Sequence, residues 1–178
     1  MSKENQLSTK EKFIENLYVV LFILFIPIIL VGIAVYGLWH LFYGLWLGLL
    51  VKKQWYPQGK KLLFVYSNSP NWQEYIEQNI FPKLSEKAMI INWSERNTWD
   101  FGKTLETKVF KHWTGSTRFW EKGKKKWSGT DFNPIAITFM PWWRIRVFRF
   151  WQAFKEHKHG KDRLLKKTET DLFKTIKL

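Results

Sequence analysis

The sequence predicts an α/β protein: an N-terminal transmembrane helix, then a small three-layer domain with a mostly parallel sheet of about three strands. Three observations predict it. Residues 17–51 contain no charge. Three short apolar runs, each bounded by turn residues, recur in the remainder. Segments with helical spacing of apolar side chains separate those runs.

Composition narrows the class before any element is assigned. The chain has 178 residues, a net charge of +14, 12 Trp and no Cys. That length allows one ordinary domain with an appendage. An apolar fraction of 46% excludes a disordered chain. The lack of Cys excludes a disulfide framework and a cysteine nucleophile. The charge is uneven: three Lys and three Glu balance in residues 1–51, so the whole surplus lies in 52–178. Such a surplus calls for an anionic surface or ligand.

Residues 1–16 form a short polar tail. The stretch LYVVLFILFIPIILVGIAVYGLWHLFYGLWLGLLV, residues 17–51, is too long for the apolar core of a signal peptide and is expected to stay in the membrane. A straight helix of this length measures about 50 Å, against about 30 Å of hydrocarbon. Three arrangements resolve the excess: a tilted, projecting helix, a span with an interfacial continuation, or a hairpin. Trp39, Tyr43 and Trp46 favour a span near 17–36, followed by an interfacial or projecting helix. Gly37, Gly44 and Gly48 would permit close helix contact there. Lys52, Lys53, Lys60 and Lys61 follow at once and mark the cytoplasmic side of an inner or plasma membrane. Each Lys is attracted to anionic lipid by about 1 kcal/mol.

The domain is expected over 52–160, with a helical tail at 161–178. Leu62–Tyr66 reads as a buried strand. Ser69 and Pro70 suit a helix start, and Trp72, Ile76 and Ile80 share one face of a helix ending near Pro82. Ala88–Ile91 reads as a second strand. A helix is expected from about Asp100 to Trp113, and a loop or hairpin over 114–133. Ile135–Met140 reads as a third strand, with helix from Trp142 onward and a break at Gly160. So small a sheet calls for cover from the membrane or a partner.

In an open parallel sheet, ligands bind at the carboxyl ends of the strands. Here those ends carry Ser67-Asn68-Ser69, Asn92 with Ser94, Glu95 and Arg96, and Arg144. If all three strands are parallel, these groups converge on one edge and suit a phosphorylated ligand: a nucleotide, sugar nucleotide or lipid headgroup. The competing reading is that Ser, Asn and Pro only cap helices and turn the chain. The dinucleotide, P-loop and nucleophile-elbow signatures are missing from the sequence. No metal site and no cofactor is expected, and the sequence EHKHGK reads as a solvated basic turn. Whether the chain is an enzyme stays open at this stage.

Residues 62–84, LLFVYSNSPNWQEYIEQNIFPKL, resemble the first strand, polar turn and helix of TIR-type signalling domains. The Pro-Gly loop and Glu-bearing helix of that family do not follow. No family is assigned and no active site is carried over.

Basic and aromatic residues alternate in MPWWRIRVFRFW. Trp142, Trp143, Arg146 and Arg149, together with the four lysines after the apolar segment, are expected to meet the membrane surface. The sequence therefore favours an accessory or adaptor subunit of a membrane complex. Its partners would be the bilayer with its anionic lipid, and a membrane protein or a second copy. Nucleic acid is the weaker reading.

Overall fold

A computed structural model describes residues 9–84, 86–100, 102–115, 118–121, 124–127, 133–140 and 144–176. The chain forms two compact units, which divide between Tyr43 and Gly44.

Helix α1 runs without interruption over Thr9–Gln54, with Pro27 inside it. It makes no turn near Gly37, so residues 17–51 do not fold back as a hairpin. Within the first unit, no side chain from Ile14 to Phe42 is buried. Phe22 is 65% exposed and Trp39 is 70% exposed. This helix is long and apolar enough to cross a membrane.

From Gly44 on, the same helix is part of the second unit and has a buried face. Gly44, Leu47, Gly48, Val51 and Trp55 are buried at helical spacing, while Leu45, Trp46 and Leu49 on other faces are exposed. Burying Leu47 and Val51 contributes about 1.5–3 kcal/mol each. Lys52 and Lys53 occupy the last turn, where positive charge complements the carbonyl end of the helix.

The domain contains a four-stranded mixed sheet in the order β2-β1-β5-β6. β1 is Leu62–Tyr66, β2 Ala88–Asn92, β5 Ile135–Phe139 and β6 Ile145–Arg149. Among the described residues, only β1 and β2 pair in parallel, with Leu62 opposite Ala88 and Tyr66 opposite Asn92. β5 runs antiparallel to β1, with Leu62 opposite Thr138. β6 is antiparallel to β5, with Ile135 opposite Arg149.

This corrects the expectation of about three mostly parallel strands, and the cause lies in one connection. Helix α4, Leu105–Thr114, ends beside Phe139 at the carboxyl end of β5: the Trp113 and Phe139 rings are 5.3 Å apart. A direct connection from there would have started a parallel strand. Instead the segment from Gly115 to Asn133, which carries the hairpin β3 (Arg118–Glu121) and β4 (Lys124–Trp127), returns the chain to the other edge. β5 then has to run backwards. The second correction concerns Ile145–Arg149, expected as helix. Its alternation of Arg144, Ile145, Arg146 and Val147 follows the two-residue period of a strand. Helix begins only at α5, Trp151–His157.

Helices cover both faces of the sheet. On one face, Leu62, Phe64 and Ala136 pack with Ile76, Ile80, Leu84, Phe150, Phe154, Leu165 and Leu172. The first three of these come from a helical stretch made of α2 (Gln73–Tyr75), a π-helical turn (Ile76–Ile80) and α3 (Phe81–Leu84). The π turn ends two residues before Pro82, whose nitrogen cannot donate into the helix. The last two come from α6, Arg163–Ile176. The opposite face carries Phe139, which meets Trp55 at 5.8 Å and Trp113 edge-on. The cover expected from a membrane or partner is thus supplied on this face by α4 and the end of α1. α4 starts at Leu105 because Thr104 caps it, accepting from Thr107 N–H, and stops at Gly115, whose φ is +66°.

Gly44 is the close point of this packing. A Cβ placed on it would lie 2.7 Å from His112 Nε2, whereas one on Gly37 meets nothing within 4 Å. We expect Gly44→Leu to cost about 1–3 kcal/mol, the range for overpacking, and Gly37→Leu to leave stability unchanged. Thermal unfolding of the two variants in lipid nanodiscs checks this.

Candidate functional site

β1 and β2 are parallel neighbours, so their carboxyl ends share one edge of the sheet. Their onward connections part there: β1 leads to α2 and α3 on one face, β2 to α4 on the other. In open α/β sheets a crevice between strand ends whose loops diverge in this way is the usual ligand position; here the two loops are hydrogen-bonded to each other across it.

Polar groups from both loops line this crevice and bind one another. Asn92 Nδ2 donates to Asn68 Oδ1 at 2.7 Å and lies 3.3 Å from Glu95 Oε1. The Asn68 backbone N–H donates to Ser94 Oγ at 2.9 Å. Ser94 N–H donates to Asn92 Oδ1, which caps the short turn Trp93–Glu95. Ser67 is buried and accepts from Trp72 Nε1 at 3.2 Å. Ser69 Oγ accepts from the Asn71 amides at 3.4 Å.

Arg96 is turned toward Trp93. Its guanidinium stands 5.1 Å from the indole, and Nη1 donates to the Trp93 carbonyl at 3.2 Å. Its Nε is buried with no acceptor among the described residues. Burial, then Glu77, then Glu95 raise the Tyr66 hydroxyl above its ordinary value. Beside the crevice, Pro70, Gln73, Glu74, Glu77 and Gln78 line an open groove of about 270 Å³. Two amide–carboxylate pairs order it, Gln73–Glu77 at 3.0 Å and Gln78–Glu74 at 3.2 Å.

The structure thus brings Ser67, Asn68, Ser69, Asn92, Ser94, Glu95 and Arg96 to one sheet edge. It does not bring Arg144 there. Because β5 is antiparallel, its carboxyl end lies at the opposite edge, where Arg144 O accepts from Met140 N–H. The expectation that three strand ends converge is corrected to two.

The membrane-surface candidates also separate. Lys52 and Lys53 end α1, and Lys60 and Lys61 precede β1 at the edge that carries Arg144. Arg146 is exposed on the outer strand. Arg149 ends β6 and belongs to the crevice edge, level with Ile135. Trp142 and Trp143 lie outside the described residues.

Sequence reading missed Tyr66 and Glu77 at the crevice. It also missed a second polar cluster. His157, taken as part of a solvated turn, is half-buried, with Nδ1 2.6 Å from Asp162 Oδ1. The His157 ring lies against Tyr75 at 5.4 Å. The Tyr75 hydroxyl is pushed up to about 12, first by burial and then by Glu169 and Asp162. Its position one turn after Trp72, on the face that α5 and α6 cover, is the only signal the sequence held.

No protein-family model, no curated protein and no solved structure matches this chain. Function therefore has to be argued from the geometry.

Two outcomes follow from this site. Asn92→Ala removes the bridge between the loops and should cost about 1–2 kcal/mol; exposed Asn97→Ala should change stability by less than about 0.5 kcal/mol. Chemical unfolding of both variants measures the difference. For Tyr75, folding favours the neutral hydroxyl, since about 12 lies above the usual 10. Its stabilisation is complete below pH about 10 and is lost as the pH rises from about 10 to about 12. Tyr75→Phe should flatten the pH dependence of stability in that window. The phenolate absorbance missing from this variant should be the part that titrates near the top of it.

Proposed function

We propose that the chain is a membrane-anchored α/β domain, held on the cytoplasmic side of an inner or plasma membrane, that serves as an accessory or adaptor subunit of a membrane complex. One observation carries the reading. The apolar helix α1 buries none of its side chains from Ile14 to Phe42, yet its last turns are core elements of the folded domain.

An exposed apolar surface of that extent far exceeds what soluble monomers carry. Lipid or a membrane partner satisfies it. A helix that ends inside a domain core also makes anchor and domain a single folding problem, as suits a subunit fixed in place. Lys52, Lys53, Lys60, Lys61 and Arg144 gather at one sheet edge and give the positive flank that stays in the cytoplasm. Anionic lipid headgroups are the partner whose charge fits that edge.

The chain has no Cys, so a single introduced thiol reports its side of the membrane. Lys161→Cys, at an exposed position between α5 and α6, should react with a membrane-impermeant maleimide only after cells are permeabilised. Replacing Lys52, Lys53, Lys60 and Lys61 together with Gln should produce a mixed orientation. Labelling of Lys161→Cys in intact cells would refute the cytoplasmic assignment.

A further inference from the structure

We infer that the hairpin β3–β4 lies on the membrane surface, with the face that carries Trp120 and Trp127 in the headgroup layer of an anionic leaflet. The contact presupposes that α1 is an anchor, and it adds to that reading a second lipid-binding element.

Position comes first. As a helix, residues 17–42 reach about 39 Å, enough for the ~30 Å hydrocarbon core and part of one headgroup layer. Gly44 therefore lies at headgroup level, and there α4 joins α1. A Cβ on Gly44 would touch His112, and the Lys108 ammonium stands 5.9 Å from the Trp46 ring. Trp46 stays 45% exposed, beside exposed Leu45 and Leu49. An exposed Trp with a Lys over its ring suits the interface, where an apolar body and a wet charge meet. α4 ends at Gly115, its C-cap, and β3 starts at Arg118. The chain from His112 to Arg118 spans at most about 22 Å, so the hairpin begins within reach of the headgroups.

Register then selects a face. The two strands form a sheet of their own, and a lone two-stranded ribbon is marginal in water. Arg118 is opposite Trp127 and Trp120 opposite Lys125; Phe119 is opposite Lys126 and Glu121 opposite Lys124. Successive residues of a strand alternate between its faces, so Arg118, Trp120, Lys125 and Trp127 share one. That face carries both Trp residues and no carboxylate, since Glu121 falls on the other. Two Trp flanked by two cations is the composition of a headgroup-level surface. Residues 118–127 together carry Arg118, Lys122, Lys124, Lys125 and Lys126 against Glu121, which selects an anionic leaflet. Stacking and charge would also suit single-stranded nucleic acid. The anchor decides for lipid, because a tethered ribbon meets the leaflet at high effective concentration.

The test uses the full chain, which has no Cys, in nanodiscs of phosphatidylcholine with or without phosphatidylserine. Lys125→Cys, on the Trp face, and Lys126→Cys, on the other, each carry a fluorophore and each remove one positive charge. Lipids with a nitroxide on the headgroup quench it. Quenching at Lys125→Cys should exceed that at Lys126→Cys by about twofold or more, because the two positions point to opposite faces, and should be stronger in the anionic discs. Adding Trp120→Ala and Trp127→Ala should abolish the difference. Leu30→Cys, read with a mid-chain nitroxide lipid, reports the anchor separately. Quenching at Leu30→Cys with equal or no quenching at the two hairpin positions overturns the hairpin contact and leaves the anchor standing. No quenching at Leu30→Cys overturns the anchor reading, and the hairpin contact with it. An oligouridylate that shifts the Lys125→Cys signal where lipid does not quench it also overturns the contact and assigns the face to nucleic acid.

Discussion

The contact of Trp55 with Phe139 is the constraint on which the domain depends. Trp55 follows the last turn of α1, and its buried indole meets the Phe139 ring edge-on while Trp113 closes on the same ring from α4. Tyr56 adds a hydroxyl bond to the Phe139 carbonyl at 2.8 Å, and burial lifts that hydroxyl above its usual range. A four-stranded sheet has two apolar faces to cover, and a domain this small cannot cover both with short helices alone. One face is covered by α2, α3, α5 and α6. The other borrows the end of a helix whose remainder is apolar all round. An aromatic pair contributes about 0.5–1.5 kcal/mol beyond its buried area. The larger effect is that sheet order and the position of the helix end are fixed by the same side chains.

From this constraint the two sheet edges acquire different characters. With α1 and α4 both ending near Phe139, the chain had to return across the sheet before β5 could start. The antiparallel β5 then separates what a parallel sheet would have joined. One edge collects Lys60, Lys61 and Arg144 beside the last turn of α1. The other holds Asn68, Asn92, Glu95 and Arg96, with Arg149 at the end of β6. In a +14 chain this amide and carboxylate cluster lies where two parallel strands send their loops to opposite faces.

Much of this was legible in residues, and the failures have physical causes. The apolar runs at Leu62–Tyr66 and Ile135–Phe139 became strands because burial on two faces leaves no polar alternation, whereas Ala88–Asn92 is an edge strand with Ile90 exposed. Ser67, Asn68, Asn92 and Ser94 were placed correctly at strand ends by their turn chemistry alone. The direction of β5 was not legible, since a strand's hydrophobicity does not encode its orientation; the intervening hairpin does. β6 was misread because RIRVFRFW satisfies two periods at once. Trp143, Val147, Phe150 and Phe154 fit a helix, while Arg144, Ile145, Arg146 and Val147 fit a strand. The edge beside β5 was vacant, and backbone pairing settled the conflict for the strand. His157 was misjudged because its partner Asp162 comes after the turn, and nothing local marks Tyr75 as its neighbour.

The glycines of α1 show why composition alone misleads in an apolar helix. Gly32, Gly37, Gly44 and Gly48 look alike in sequence, and glycine is ordinary in membrane helices. Only position distinguishes them. Gly32 and Gly37 face open space, whereas Gly44 admits His112 to a distance that any side chain would block. The helix thus changes its task within one turn: before Gly44 its side chains seek an apolar medium, and after it they form a protein core. A glycine costs about 1 kcal/mol in a helix interior relative to Ala. At Gly44 that cost is offset by the approach of α4, and the approach allows Trp113 to reach Phe139. The stability of the sheet is therefore coupled to a residue at the boundary between the apolar helix and the domain.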